Sequence, residues 1–124
     1  MEEELKRLRA DADGLLTYEY IANHIDACAN MMPELVSNMI DVDKSGQFLV
    51  SAARYLCAID RQMYADDISR LIAAAIDRDR EHKYIADLLP SIWGEDYANH
   101  VDELSEADDN FRRVYKRVYA KPGI

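Results

Sequence analysis

The stretch Gln47-Phe48-Leu49-Val50-Ser51-Ala52-Ala53-Arg54-Tyr55-Leu56-Cys57-Ala58-Ile59 decides the fold. Its single charge is Arg54, and Phe48, Leu49, Ala52, Ala53, Leu56 and Ile59 put apolar or small side chains on more than one face of a helix. A helix that is apolar around much of its circumference belongs inside a protein, so this segment predicts a central, buried helix with others packed around it. On its C-terminal side, Ile68, Leu71, Ile72, Ala75, Ile76, Ile85, Ala86 and Leu89 fit a helical period, and neither Gly nor Pro interrupts before Pro90. The spacing predicts one helix from Asp66 to Leu89. The charged run Asp77-Arg78-Asp79-Arg80-Glu81 is the place for a break, if there is one.

On the N-terminal side, Pro33 suits the first position of a helix, with Glu34 near the positive end of the dipole and Leu35, Val36, Met39 and Ile40 inward. That helix ends in the turn formers of Asp41 to Gly46. Thr17 is expected to cap a helix from Tyr18 to about Asn30, its stripe formed by Ile21, Ile25, Cys28 and Met32. Glu2 to Ala12 reads as a short helix stopped by Asp13-Gly14. Beyond Trp93-Gly94, Tyr97, Val101 and Leu104 mark another short helix. Ser105-Glu106-Ala107-Asp108 then has the form of a capping box, with Asp in place of Glu or Gln. A last helix turns Phe111, Val114, Tyr115 and Val118 inward and ends at Lys121-Pro122-Gly123. No segment alternates clearly as a strand does, although the Tyr and Val residues near the C-terminus leave a strand there open. The expectation is an all-α protein: one compact bundle of six or seven helices, a single domain over residues 1–124.

Composition narrows the function classes. With 124 residues, 49% apolar and 31% charged, the chain has globular values and can bury a core without disulfides or metal, so no cofactor is required for folding. Cys28 and Cys57 are too few for a disulfide framework, which points to a reducing, cytoplasmic compartment. The start Met1-Glu2-Glu3-Glu4-Leu5-Lys6-Arg7 has no apolar signal region, and no run approaches the ~20 apolar residues of a membrane span. No membrane association is expected. A net charge of −9 disfavours general nucleic-acid binding. The charge is nevertheless segregated: Phe111 to Ile124 holds Arg112, Arg113, Lys116, Arg117 and Lys121 with no acid, which leaves 10 basic against 24 acidic residues in the first 110.

Asp41-Val42-Asp43-Lys44-Ser45-Gly46-Gln47-Phe48 resembles the first two thirds of an EF-hand calcium loop. Calcium takes hard oxygens at alternate positions, and a glycine turns the chain around the ion. The resemblance implies Asp41, Asp43 and Ser45 as side-chain ligands and Gln47 through its carbonyl. Ala52 stands where the family supplies a bidentate glutamate, and Leu49 at the ninth position. The alternative is a helix ending in polar turn residues, with Ser45 capping the next one. Asp79-x-x-His82 has a carboxylate three residues before a histidine, a spacing used in di-metal helical bundles, and His24 or His100 would have to complete a transition-metal set. Here the alternatives are an Asp-His pair satisfied in the core, or a helix break that leaves both in water.

Two short copies, Ala22-Asn23-His24-Ile25-Asp26 and Ala98-Asn99-His100-Val101-Asp102, are too brief for a structural repeat. Leu16 to Ile25 looks like the first helix of a helix-turn-helix, but Pro33 would fall inside the recognition helix. Phosphate-cradling glycine loops and nucleophile elbows are missing, so the balance leans away from an enzyme. The leading expectation is a non-enzymatic protein that binds another protein as an accessory, inhibitory or regulatory subunit, with homo-oligomer formation open. Its contact surface is expected on the last helix, at Arg112, Arg113, Tyr115, Lys116, Arg117 and Tyr119. Nucleic-acid contact through the same basic helix, or charge balancing against the acidic remainder, are the competing readings.

Overall fold

The computed structural model of the chain describes residues 2–120. The expected stop at Lys121-Pro122-Gly123 lies outside them. The described residues form eight α-helices and no strand: α1 (Glu2–Arg9), α2 (Leu15–Asn23), α3 (Met32–Val42), α4 (Gln47–Asp60), α5 (Ala65–Arg78), α6 (Leu88–Trp93), α7 (Val101–Ala107) and α8 (Asp109–Val118). Single 3-10 turns lie at Ala29–Met31, Ile85–Asp87 and Tyr97–Asn99. The protein is all-α and compact, with one helix more than expected. The reason is the break after Arg78, which divides the anticipated 66–89 helix into α5 and α6.

The first six helices form three units, α1 with α2, α3 with α4 and α5 with α6. In one layer α1 packs on α3 and α3 on α5; in the other α2 packs on α4 and α4 on α6. The helix α4 sits centrally with Leu49, Val50, Ala52, Ala53 and Leu56 buried, and its most extensive contact is with α5. Ile59, at its end, is 48% exposed. The final helix lies across α5 and α6 and buries Phe111 and Val114.

Each unit turns on a buried aspartate. After α1, Asp11 accepts the Thr17 amide at 2.8 Å and the Thr17 hydroxyl at 2.7 Å on one oxygen, and the Asp13 and Gly14 amides on the other. After α3, one Asp43 oxygen accepts the Ser45 amide and hydroxyl and the Gly46 amide, each at 3.0 Å. The other accepts the Phe48 and Leu49 amides at 2.8 and 2.9 Å. After α5, Asp79 accepts the amides of Lys83, Tyr84 and Ile85 at 2.9, 2.7 and 2.8 Å.

Three residues beyond each aspartate the backbone is left-handed: Gly14 at φ 106°, Gly46 at φ 92° and His82 at φ 57°. These corners recur about every 34 residues, inside the range of roughly 20 to 50 typical of structural repeats. They also touch. A Cβ on Gly14 would meet the Asp43 Cβ at 3.1 Å, and one on Gly46 would meet the Asp79 Cβ at 3.1 Å.

Neighbouring units are tied at equivalent carbonyls, three residues before the first and the second corner aspartate. Asn38 Nδ2 donates to the Leu8 carbonyl at 2.9 Å, and Arg78 Nη1 donates to the Ile40 carbonyl at 2.6 Å and to that of Asp43 at 2.9 Å. Exposed carbonyls at helix C-termini need partners, and the next unit supplies them.

Two caps differ from expectation. Thr17 lies inside the first turn of α2, which starts at Leu15 after Gly14 and ends at Asn23 rather than Asn30. Its buried hydroxyl donates to Asp11 and accepts from Asn38 at 3.1 Å. Ser105 lies within α7, and Asp108 itself caps α8 through the Asn110 and Phe111 amides. In both places a carboxylate takes the capping role expected of a hydroxyl, because a charged acceptor binds amides more strongly.

Candidate functional site

The basic helix α8 is positioned by an aromatic ladder. Phe111 is fully buried and meets Trp93 edge-on at 5.2 Å between centroids. Tyr115 stacks on Phe111 at 5.6 Å, and Tyr119 tilts against Tyr115 at 4.5 Å. The Trp93 indole donates to Asp108 at 2.9 Å, joining the end of α6 to the cap of α8. Tyr97 shares a 2.6 Å hydrogen bond with the Tyr119 hydroxyl, and this bond, followed by partial burial, pushes the Tyr97 pKa up. The ladder therefore runs outward from the core to Tyr119, which is 52% exposed.

Along the same helix, Arg112 pairs with Asp109 one turn away at 2.5 Å, and the Arg117 guanidinium bonds the Arg113 carbonyl. Arg113 reaches Asp77 of α5 at 3.6 Å. Among the described residues that is the one ion pair between α8 and the rest of the molecule. Lys116 is exposed and makes none. The expected contact residues thus lie on one element, with Tyr115 turned partly into the ladder.

The residues of the calcium-like loop are brought together around a helix junction. Asp43 is fully buried and both of its oxygens are occupied by five donors from its own corner. The Ser45 hydroxyl donates to Asp43 and accepts the Gln47 amide at 3.2 Å, but the N-cap of α4 is Gly46 with no side-chain cap, and the Phe48 and Leu49 amides of its first turn go to Asp43 rather than to Ser45. Asp41 is exposed in the last turn of α3, and Gln47 is the first residue of α4. Of the acceptors that would face an ion, Asp43 and Ser45 face backbone amides, and the Gln47 carbonyl accepts the Ser51 hydroxyl.

The Asp79 and His82 pair is likewise a corner. Asp79 is buried, and its oxygens hold three amides; His82 carries the left-handed turn and is half-buried. The other histidines lie elsewhere: His24 stacks on Tyr20 and bonds its carbonyl at 2.9 Å, and His100 sits between Asp96 at 3.2 Å and Glu103 at 3.8 Å. Among the described residues no three His, Cys, Asp or Glu side chains converge as a metal-binding group. Nor is any described helix long and apolar enough to cross a membrane.

Two clefts escaped the sequence. One, of about 170 Å³, lies between the end of α4, α5 and α8, with an apolar floor of Ile68, Ile72 and Ile92 and with Cys57, Arg61 and Asp108 at its edge. Arg61 already bonds the Ile92 carbonyl there. The other, of about 260 Å³, lies between the second and third corners and is lined by Lys44, Ser45, Arg78, Arg80, Lys83 and Tyr84, with the carboxylates of Asp79 and Glu81. The adjacent-charge run Asp77 to Lys83 was the available signal for the second, but only the stacking of the corners brings Lys44 to it.

Compared with protein-family models, with curated proteins and with solved structures, the chain matches none.

Proposed function

We propose that the protein works by binding an acidic surface on another protein through α8, as an accessory, inhibitory or regulatory subunit. One observation carries this reading: in a strongly acidic chain only one of the four cations of α8, Arg113, is paired with an acid of another element, and Lys116 and Arg117 have no acid partner among the described residues. Arg113 alone reaches an acid outside the helix, while Arg112 and Lys116 stay at the surface beside the half-exposed ring of Tyr119. An exposed aromatic ring among cations is the composition of interface anchors. Charge balancing within the molecule, the main competing explanation, would need several such bridges. The free thiols of Cys28 and Cys57 are in keeping with a cytoplasmic setting.

The test is site-specific photo-crosslinking in the native host, with the reactive group placed at position 116 and, as a control on the opposite end of the chain, at position 3. Proteins captured from position 116 alone, and lost in Arg112→Glu/Arg117→Glu, are the expected result. Capture that is equal from both positions, or indifferent to the double reversal, refutes the reading. If nucleic acid is captured instead, with a log–log salt slope that falls by about one for each basic residue removed, α8 is a nucleic-acid contact.

A further inference from the structure

We propose that the cleft between the second and third corners binds a doubly charged phosphate group, either free or as the ester of a small molecule. The corner repeat itself builds the site. Lys44 and Arg80 each follow a corner aspartate directly, and because the Gly46 backbone packs against Asp79, these two positions line one cleft although they are far apart in the chain. Arg78 and Lys83 add two more cations, and Tyr84 lines the same cleft, whereas the Ser45 hydroxyl proton is already given to Asp43. Four cations face two carboxylates in a chain whose net charge is −9. Outside this cleft and α8 the acids prevail.

The two carboxylates do not cancel the cations in the same way. Asp79 is 2% exposed and its oxygens accept three backbone amides, so its charge is buried and largely met by backbone dipoles of its own corner. Glu81 is on the rim, its side chain 74% exposed, and holds Lys83 at 2.9 Å. A surface pair of this kind is weak and exchangeable, so an entering phosphate can replace Glu81 as the partner of Lys83.

Arg78 is pre-oriented. Its Nη1 is fixed by the Ile40 and Asp43 carbonyls, while Nε and Nη2 carry hydrogens with no partner among the described residues. A guanidinium held in place loses little freedom on binding an oxyanion, and its planar fork matches phosphate geometry. Arg80 and Lys44 are exposed and make no ion pair among the described residues. The chemistry that suits this arrangement is a compact dianion with several acceptor oxygens. A monocarboxylate would leave most of these donors unmet.

The experiment is a titration of the uniformly 15N-labelled full chain with inorganic phosphate and, separately, with glycerol 3-phosphate, at constant ionic strength set by sodium chloride. The expected result is saturable amide shifts centred on residues 44–46 and 78–84, with Kd raised at least tenfold by Arg80→Glu or Lys44→Glu and less than twofold by Lys116→Glu. Tighter binding of the ester by tenfold or more identifies a small-molecule phosphate as the ligand; equal binding identifies free phosphate. No saturable shift up to about 20 mM, far weaker than the millimolar binding that about 4 kcal/mol provides, overturns the proposal. So does an equal loss in Lys116→Glu, which would mean diffuse attraction to any cation. All three substituted residues are exposed, so native spectra of the variants are expected and serve as the folding control.

Discussion

The second and third corners share a backbone plan but differ in what completes it. Asp43 receives five hydrogen bonds and turns on Gly46, which leads directly into α4. Asp79 receives three, turns on His82, and leads into a single 3-10 turn before α6 begins. The tighter corner starts the longest class of helix in the molecule, and the looser one starts a six-residue helix. A buried carboxylate that replaces a continuous helix must satisfy the amides that the break exposes. The number it satisfies sets how firmly the following helix is launched.

The largest effect expected from this difference is on Asp43→Ala and Asp79→Ala. Removing a buried acceptor leaves its amide donors unpaired, at about 1–3 kcal/mol for each one that water cannot reach. Asp43→Ala is expected to cost about 4 kcal/mol or more and Asp79→Ala about 2–3 kcal/mol, measured by urea unfolding at unchanged slope. Equal losses would show that the extra bonds to Ser45 and Gly46 add nothing. Next in size is Gly46→Ala. The left-handed backbone and the 3.1 Å approach to the Asp79 Cβ both oppose a methyl group, and about 2 kcal/mol is expected. A loss below about 0.5 kcal/mol would mean that the corners can separate without cost.

These corners explain what could and could not be read from the residues alone. Helix positions followed from periodicity, and Pro33 marked the start of α3 to within a residue because its ring fits only a first turn. The central place of α4 followed from the apolar surround of Leu49, Ala52, Ala53 and Leu56. The aspartates were hidden, since an Asp near a glycine reads as any turn, while the amides it serves belong to residues up to six places ahead, inside the next helix. Asp11-x-x-Gly14 and Asp43-x-x-Gly46 do repeat as letters, but His82 breaks the pattern in the third copy. The α8 residues were legible as a charge run. The phosphate cleft was not, because Lys44 and Arg80 meet only through corner stacking.

Acid titration separates a carboxylate that is well served from one that is not. Burial pushes Asp11 up, but the Thr17 hydroxyl and the Thr17, Gly14 and Asp13 amides together outweigh it, so its pKa lies below the ordinary 3.8. Its stabilisation is complete above pH 3.8 and is lost as pH falls through the lowered value. Asp67 has only Arg70 at 4.0 Å, and burial holds its pKa above 3.8. The native state is therefore penalised as pH rises through that raised value. Asp67→Asn is expected to stabilise the protein by up to about 1 kcal/mol at pH 7, with the gain fading below pH 3.8, whereas Asp11→Asn is expected to destabilise it most near neutrality. Parallel pH profiles for the two variants would contradict the assigned environments.

The smallest effect is the most direct probe of the third corner. A non-glycine residue in the left-handed region costs about 1–2 kcal/mol, and His82 bears this at φ 57°. Glycine would remove that strain, but it would also give the unfolded chain more freedom, at about 0.5–1 kcal/mol. The balance predicts that His82→Gly stabilises by about 0.5 kcal/mol, read as a small rise in the urea midpoint. Because Gly46 already sits in the left-handed region without a side chain, this variant makes the two corners alike at that position, leaving only the count of hydrogen bonds between them. If His82→Gly destabilises instead, the half-buried imidazole is packing against its surroundings strongly enough to outweigh the strain. The third corner would then be held by two side chains, Asp79 and His82, where the second is held by Asp43 alone.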